Sequence, residues 1–405
     1  MKKICLPILG MYINCLAAFS QTADSTSYQN RKLTMDESNI VSSYYHQNGN
    51  HSAVTGGIGT EKLMDVSVAF DIKLSKYDKK YRKHSLDIGI GVDHYTSASS
   101  DKIDPTTISS ASHADTRIYP SLNWTMENDR RKTTFGAGAS VSVEFDYTSL
   151  GMNAQFAKTT NNKMGEFAVN VQAYLDNVKI ILPIELRQSG SQTGHHHDDN
   201  YPTVSRNSFS ADLSYSQIIN RNFQMMFLAG IIYQHGYLSL PFHRIYFKDG
   251  AGGTDADAIE KLPNNRVKIP LGVRANYFLG DRFILRGFYR FYYDTWKLNA
   301  HTFNLEFVYK ITPFYSITPF YRFHIQSAIA YFAPKGEHLS SETYYSSNYD
   351  LSAFNSHFFG AGIRLAPPKG IFGWKHFNML EIRYGHYIKT TGMLSDIVSL
   401  NIRFK

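Results

Sequence analysis

The sequence predicts an all-β fold, a transmembrane antiparallel β-barrel of about sixteen strands with short periplasmic turns and long extracellular loops. Three observations predict it: the chain ends on an alternating strand, similar segments recur along it, and short and long links alternate between them. In the last ten residues, one face carries Val398, Leu400, Ile402 and Phe404, and the other carries Ser399, Asn401 and Arg403. Such alternation is typical of a strand between an apolar and an aqueous surface. An aromatic residue next to the end resembles the closing strand of an outer-membrane barrel.

Segments of about ten alternating residues recur through the chain, close to the ~9–11 residues that a tilted membrane strand needs. The expected strands are residues 39–46, 64–74, 86–92, 118–126, 135–145, 151–159, 165–176, 207–217, 223–234, 266–277, 283–294, 300–310, 316–326, 356–366, 377–386 and 396–404. The first of these shows the weakest alternation. A soluble β-sandwich or propeller is the alternative, but no change in strand character marks two packed sheets.

The links between these segments fall into two length classes. Tight links with turn residues are expected at 76–83, 127–132, 160–163, 220–222, 279–282 and 311–313, and long links at 97–115, 177–206, 235–265 and 328–355. Short periplasmic turns and long outer loops are the rule for bacterial barrels. The alternation therefore predicts that both chain ends lie in the periplasm, which requires an even number of strands.

The amino terminus is expected to be a secretory signal peptide, residues 1–20, because two lysines precede an apolar stretch and then small residues. Residues 21–38 are expected to be a periplasmic segment and residues 39–405 the barrel. Both cysteines, Cys5 and Cys15, lie in the signal. The mature chain is then free of cysteine, which excludes disulfides, thiolate metal sites and cysteine nucleophiles.

Composition favours a barrel in the outer membrane over other membrane or nucleic-acid-binding classes. The chain has 28 Tyr and 27 Phe with only 19% charged residues, whereas the longest apolar stretch after the signal, about 223–233, is far short of the ~20 residues of a spanning helix. Loss of Lys2 and Lys3 lowers the formal net charge from +8 to +6, and no basic run indicates nucleic acid. The expected partners are outer-membrane lipid and the barrel-assembly machinery.

If the apolar residues face lipid, the other side of each strand lines the lumen, and its charges are unevenly distributed. The early strands present Asp65, Asp71, Asp87, Asp93, Glu144 and Asp146, with Lys73 and Arg117. The later strands present Arg266, Lys268, Arg274, Arg286, Arg290, Lys310, Arg322, Arg364, Arg383 and Arg403, with Asp294, Glu306 and Glu381. In a closed cylinder these sets would form opposed acidic and basic walls with a field between them.

Two interpretations of the arginines remain open. They either form a polar lining that admits or binds small anionic solutes, or they pair with carboxylates such as Glu306 and Glu381 and hold a plugged interior together.

Three loop segments resemble family signatures: residues 52–61 (SAVTGGIGTE), 101–112 (DKIDPTTISSAS) and 195–205 (HHHDDNYPTVS). With Tyr44 and Tyr45, they resemble the Gram-negative outer-membrane proteins of domain-of-unknown-function family 3570, over essentially the whole mature chain. The resemblance implies an outer-membrane barrel and brings no established activity. The glycines of residues 56–59 are expected to form a tight bend beside the mouth, or a loop folded inward, since the phosphate-loop ending is absent.

A loop-bound divalent metal is the one cofactor to consider. The run His195, His196, His197, Asp198 and Asp199 offers imidazole and carboxylate ligands, although adjacent residues need partners such as His46, His51, His113 or Asp115. A hydrated loop that binds nothing is the alternative. Asp101, Asp104 and Asp115 offer oxygen ligands for calcium without the spacing of a helix–loop–helix site.

The sequence contains no Gly-x-Ser-x-Gly elbow, so no enzyme is expected. For a barrel-borne hydrolase, the pair of Asp93 and His94 would be the first candidate. The predicted function is instead a channel or binding protein for a small hydrophilic or anionic solute, through the arginine wall. The alternative is a non-porous barrel that docks an envelope protein partner.

Overall fold

The structure, a computed structural model, describes residues 32–96, 114–186, 201–250, 252 and 255–405. The predicted signal peptide and the run from His195 to Asp199 lie outside these residues. The strands are β1 Thr34–Asn48, β2 Leu63–Tyr77, β3 Lys83–Thr96, β4 Ala114–Asn128, β5 Thr133–Val143, β6 Tyr147–Thr159, β7 Gly165–Lys179, β8 Thr203–Asn220, β9 Phe223–Gly236, β10 Arg244–Ile245, β11 Ala258–Ile259, β12 Asn265–Leu279, β13 Phe283–Asp294, β14 Asn299–Thr312, β15 Tyr315–Gln326, β16 Phe354–Leu365, β17 Phe377–Lys389 and β18 Leu394–Phe404. Short 3-10 turns lie at Ala53–Thr55, Ile184–Leu186 and Tyr349–Leu351.

Sixteen of these strands form one closed antiparallel barrel, and β10 and β11 form a separate two-stranded ribbon. Each barrel strand pairs with the next along the chain, and β12 follows β9 in the wall. The cylinder closes where β1 pairs with β18, from Ser38 opposite Phe404 to Asn48 opposite Leu394. The predicted barrel and its strand number are confirmed.

The strand boundaries differ from the prediction in identifiable places. β1 begins at Thr34, within the stretch predicted as a periplasmic segment. The sequence pattern did not predict this start, because a register shift between Met35 and Glu37 interrupts the alternation there. Three outer links are short, at residues 144–146, 295–298 and 390–393, and one inner link is long, at residues 366–376. Loop length alone therefore does not identify the side of every link.

The outward side of the strands is apolar, as in a barrel surrounded by lipid. Its exposed side chains include Phe303, Leu305 and Ile363, each about half exposed. At the inner end of the wall, Phe404 stacks on Phe377 at 5.3 Å and meets Trp374 edge-on at 5.6 Å. Within the described residues, no helix is long and apolar enough to cross a membrane.

Long outer links fold over the mouth of the barrel. We call residues 49–62, 237–250, 255–264 and 327–353 the cap. Four inward-facing wall side chains bond to backbone carbonyls of the cap: Gln47 to Glu61, Arg206 to Tyr237 and Ser239, Gln326 to Asp350 and Ser352, and Lys389 to Tyr349. Because these anchors lie on β1, β8, β15 and β17, the cap is fixed around much of the rim.

The cap has its own apolar core. Leu262 and Ile329 pack against Trp296, Leu298 and Ala300 at the outer end of the wall. The glycine segment bends tightly against the rest of the cap: Gly57 has a φ of 86°, and a Cβ on it would lie 2.5 Å from the Ser347 carbonyl oxygen. The Val54 carbonyl accepts a hydrogen bond from Arg244, which also bonds both carboxylate oxygens of Glu185.

Replacing Trp296 with alanine should loosen the cap without opening the barrel. Trp296 is only 3% exposed, donates from Nε1 to the Asn265 carbonyl and lies 4.2 Å below the Arg266 guanidinium. Removing a buried tryptophan costs about 3–5 kcal/mol, so protease cleavage at residues 237–264 and 327–353 should accelerate at least tenfold. The heat-dependent gel mobility of the barrel should not change. Trp296→Phe, which keeps most of the packing, is the control, and equal cleavage of all three proteins would contradict the role of this core.

Candidate functional site

The basic wall is assembled from the inward positions of β12 to β17. Arg274 lies on β12, Arg286 and Arg290 on β13, and Arg322 on β15. Strand alternation puts these side chains on the face opposite the exposed apolar residues. The register then places Arg286 opposite Glu306 and Arg322 opposite Asn304, both on β14.

These four arginines line one cavity of about 580 Å³. Its other lining residues are Asn276, Gly287, Phe288, Thr302, Asn304 and Glu306. Four guanidinium groups and one carboxylate leave this cavity with a surplus of positive charge. The amide and hydroxyl side chains add neutral hydrogen-bonding groups, so the lining is suited to a hydrated, negatively charged molecule.

The single carboxylate of the cavity is shared. Glu306 lies 3.6 Å from Arg286 and 3.3 Å from Arg383, and Arg383 also lies 3.8 Å from Glu381. Within the described residues, no carboxylate lies within 4.0 Å of Arg274, Arg290 or Arg322. The predicted pairing with Glu306 and Glu381 is therefore present, but it involves only part of the arginine set.

Inward-facing phenylalanines support the arginines, a feature that the sequence prediction missed. Arg274 lies 5.6 Å from the Phe288 ring and Arg322 5.6 Å from the Phe358 ring. Cation–π contacts of this kind hold a guanidinium plane in place and leave its edge free to donate hydrogen bonds. The sequence alternation could have indicated them, since each of these phenylalanines falls on the polar, inward-facing side of its strand.

A third stacked pair lies beside the cavity. Arg383 is 5.0 Å from the ring of Phe320, which packs on Phe358 at 5.2 Å. Gly385 makes room for these rings, because a Cβ there would lie 2.4 Å from Phe358. Arg364, by contrast, lies near the inner end of β16, opposite Ser316 and Glu381 in the register, and it is absent from the cavity lining.

The predicted acidic residues lie on the other side of the cylinder. Most of them have a partner, but Asp65 Oδ1 is buried without a hydrogen-bond partner among the described residues. Asp71 accepts a hydrogen bond from Asn39 at 2.9 Å, Asp87 lies 3.9 Å from Lys73, Asp93 accepts from Tyr119 at 2.9 Å, and Glu144 accepts from Tyr95 at 2.6 Å. Arg117 lies near both Asp93 and Glu144, at 3.9 and 3.6 Å. Glu144 itself belongs to the outer turn after β5, where it still points inward to these partners. Apart from Asp65, the acidic wall is thus more fully paired than the basic wall.

No metal centre is assembled from the described part of the predicted ligand set. His46 lies on the outward face of β1 and Asp115 on the inward face of β4, whereas His51 stacks on Tyr349 in the cap. Oxygen atoms of Asp115, Glu144 and Asp146 approach within 4.8 Å of one another. Asp115 is already occupied by the backbone N–H groups of Thr116 and Phe145, so these contacts explain its position.

The predicted hydrolase pair is separated by the wall. Asp93 faces the lumen, whereas His94 faces outward and lies 2.9 Å from Thr116 Oγ1. A cluster of Ser346, His338 and Glu260 occurs in the cap, but the Ser346 hydroxyl donates to Glu260, and His338 Nε2 accepts from the Ser346 backbone. Ser346 is 0% exposed. Neither arrangement presents an activated nucleophile to a substrate.

The interior of the cap holds two titratable groups with opposed shifts. Burial raises the pKa of Glu260 to about 7, against the hydrogen bonds that it accepts from Ser346 and the Leu240 backbone. Burial, with a smaller effect of His338, lowers the pKa of His243 to about 3. His243 accepts a hydrogen bond from the Ser347 backbone through Nε2, while its Nδ1 is buried without a partner among the described residues.

Comparison with protein families identifies one family. The family model described as "Protein of unknown function (DUF3570)" matches residues 93–372, a shorter stretch than the resemblance implied. A search of curated proteins returned no match.

Three solved structures are similar to this chain. The outer membrane protein OpdK of Pseudomonas aeruginosa has 8% identity and a TM-score of 0.43, with 92% of this chain and 98% of that chain covered. A BenF-like porin of Pseudomonas fluorescens Pf-5 has 8% identity and a TM-score of 0.42, with 91% and 98% covered. A mutant of the ferric enterobactin receptor PfeA of Pseudomonas aeruginosa has 11% identity and a TM-score of 0.45, with 87% and 53% covered.

The two buried cap groups predict opposed pH effects on cap stability. Glu260 binds its proton more tightly in the folded cap than in the unfolded chain. Its contribution to the free energy of unfolding of the cap is therefore full below pH 4.5 and is lost as the pH rises through 7. His243 resists protonation, so its contribution is full above pH 6.5 and is lost as the pH falls through 3. The two effects should largely cancel between pH 4.5 and 6.5.

Variants should separate these effects in hydrogen exchange of the cap, measured from pH 3 to 8. Glu260→Gln should remove the loss of cap stability that occurs as the pH rises, which is roughly 3 kcal/mol. His243→Asn should remove the loss of cap stability that occurs as the pH falls. Glu342→Gln, a change at a more exposed carboxylate of the same cap, is the control. Identical pH profiles in the wild type and both variants would show that these groups do not control the cap.

Proposed function

The chain belongs to the DUF3570 family of proteins of unknown function, and from its geometry we propose that it is an outer-membrane channel for small hydrophilic anions. One observation carries the proposal: four arginines and one carboxylate line a cavity of about 580 Å³ on one wall of a closed barrel. A wall that only held the barrel together would have its charges matched. Here three of the four arginines have no carboxylate within 4.0 Å among the described residues.

The arginines would act as donors to a passing anion. A guanidinium presents a planar fork that matches carboxylate and phosphate oxygens, and Phe288 and Phe358 keep two of these forks in position. Because all four arginine side chains remain in contact with water, their attraction for an anion stays weak enough for release. Successive arginines along β12, β13 and β15 would pass the solute from one site to the next.

The acidic wall supports selectivity from the opposite side. Its carboxylates repel an anion and attract a cation, so an anion is displaced toward the arginines. A cation gains less there, because hydrogen bonds from Tyr95 and Tyr119 and the charge of Arg117 already satisfy Asp93 and Glu144. The preference for anions therefore rests on the difference in pairing between the two walls.

The cap favours a second candidate function. It has an apolar core and buried polar contacts, and it is bonded to lumen-facing residues at the rim. A cap that closed the mouth permanently would make the barrel a docking module for an envelope protein. A conductance measurement distinguishes the two functions, because a channel with a constricted entrance conducts ions and a permanently closed docking module does not.

Neutralising the unpaired arginines should weaken anion preference in planar bilayers. The wild type should give a reversal potential that favours chloride over potassium, and Arg290→Gln with Arg322→Gln should reduce the permeability ratio by up to about thirtyfold. This magnitude follows from roughly 1 kcal/mol per guanidinium for an anion about 4 Å away in water. Arg403→Gln, at an arginine that lies 3.4 Å from Glu37, is the control and should change the ratio little. A wild type that prefers cations, or an unchanged double variant, would contradict the proposal.

Shortening the cap should raise conductance. Residues 241–259 would be replaced by a short glycine–serine linker, which removes the ribbon of β10 and β11 and the bonds of Arg244 to Val54 and Glu185. The expected result is larger single-channel steps with the same sign of selectivity. Arg244→Gln, which breaks only the bonds of this side chain to Val54 and Glu185, should leave the step size unchanged and increase the frequency of transitions. If neither the wild type nor the shortened protein conducts, the barrel is closed below the cap and the docking function is favoured.

A further inference from the structure

Histidines are concentrated at the outer end of the lipid-facing surface. We call the six residues His46, His94, His235, His301, His357 and His386 the histidine belt. They lie on β1, β3, β9, β14, β16 and β17, and each is within the last four residues at the outer end of its strand. In every case the side chain has the parity of the apolar outward face. Five of the six lie in the half of the wall that runs from β14 through the β18–β1 closure to β3.

The belt marks the boundary between the apolar and polar parts of this surface. The preceding residues toward the membrane centre on the same face are Tyr44, Val92, Tyr233, Phe303, Phe359 and Tyr384. The following outward residues are polar on four strands, namely Asn48, Thr96, Asn299 and Asn355, whereas β17 continues with Ile388. Because the termini and most short turns lie at the other end, this boundary is the outer-leaflet interface. It lies at the height of lipid headgroups.

Five belt histidines are held in the same way through Nδ1. This atom lies 2.9 Å from Thr116 in His94, 2.7 Å from Asn265 in His235, 2.9 Å from Tyr289 in His301, 2.7 Å from Tyr321 in His357 and 2.8 Å from Asp396 in His386. Within the described part of the chain, no hydrogen-bond partner is found for Nε2 of any of the five. A strand neighbour thus fixes each ring and leaves Nε2 for an acceptor outside the barrel.

Few other charged groups face the belt. Asp396 lies opposite both His46 and His386 in the register, and Asp65 lies across the wall from His94. The register partners of His235, His301 and His357 are Asn207, Asn265, Phe291, Ile325, Phe323 and Ile388, which carry no charge. Protonation of these three histidines therefore adds positive charge at the interface that no facing carboxylate cancels.

We propose that the histidine belt binds the phosphate groups of phosphorylated glycolipid in the outer leaflet, and binds them more tightly as the pH falls. A phosphate needs donors and positive charge at headgroup height, and Nε2–H supplies both once the ring is protonated. The tyrosines next to the belt keep the aromatic contact with lipid that interfacial residues provide. A second copy of this chain is a less suitable occupant, because two belts would bring like charges together at low pH.

The test is a titration of the detergent-purified barrel with phosphorylated lipid A, followed by native mass spectrometry at pH 8.0 and 5.5. The wild type should bind about tenfold more tightly at pH 5.5, because protonated rings at the membrane surface attract the anionic phosphate groups. A fourfold belt variant should gain less than about twofold in lipid affinity over the same pH change. It carries His94→Gln, His235→Gln, His301→Gln and His357→Gln. Lipid A without phosphate should bind the wild type equally at both pH values.

Controls separate the belt from histidines elsewhere. A double variant, His84→Gln with His324→Gln, changes one histidine at the inner end and one in the lumen, and it should keep the tenfold gain. A further variant with only His301→Gln and His357→Gln should lose part of the gain, which provides a readout if the fourfold variant does not fold. The proposal is overturned if the wild type shows no gain, if the belt variant gains as much as the wild type, or if the lipid without phosphate shows the same gain. Self-association at pH 5.5 that replaces lipid binding would assign the surface to a second copy of the chain.

Discussion

Closure of the backbone hydrogen-bond ladder between β1 and β18 is the constraint on which the rest of the structure depends. Inside a bilayer each unpaired N–H or C=O group costs several kcal/mol, so a sheet with free edges is not stable there. The register from Ser38 opposite Phe404 to Asn48 opposite Leu394 removes both edges along the length of β18. With the cylinder closed, every side chain faces either lipid or lumen, and a shift of one residue would exchange the two faces.

This constraint explains why so much of the barrel was predictable from the sequence. The sixteen strands and the inward position of residues such as Arg290 and Asp93 follow from alternation alone, which is local in the chain. The start of β1 was missed because a bulge near Met35 breaks that alternation. The cap core was also missed, since the contact of Leu262 with Ile329 depends on how distant loops meet, and no short pattern encodes it.

Whether an arginine has a structural role depends on whether a carboxylate lies next to it. Such ion pairs join residues that are distant in the sequence. Arg266 donates to Asp294, which is 0% exposed and also accepts from Tyr292 and two backbone N–H groups. This arginine is part of the support under Trp296, and removing either partner would leave a buried charge. Arg290 has the same parity and the same side chain but no such partner. The sequence placed both on one wall and could not tell them apart, because their partners are fixed only by the register of neighbouring strands.

The neutral residues opposite the arginines are the stronger argument that this wall is functional. Arg290 lies opposite Thr302 and Arg322 opposite Asn304, at positions where a carboxylate would have formed a cross-strand pair. Such a pair does form one step further along β14, where Glu306 meets Arg286 and Arg383. On β14, Glu306 therefore neutralises arginines of the wall, whereas the neighbouring inward positions, Thr302 and Asn304, leave Arg290 and Arg322 without a cross-strand carboxylate. An exposed arginine in a wet lumen adds little to barrel stability, so packing does not account for the surplus, whereas the proposed binding of a passing anion would account for it.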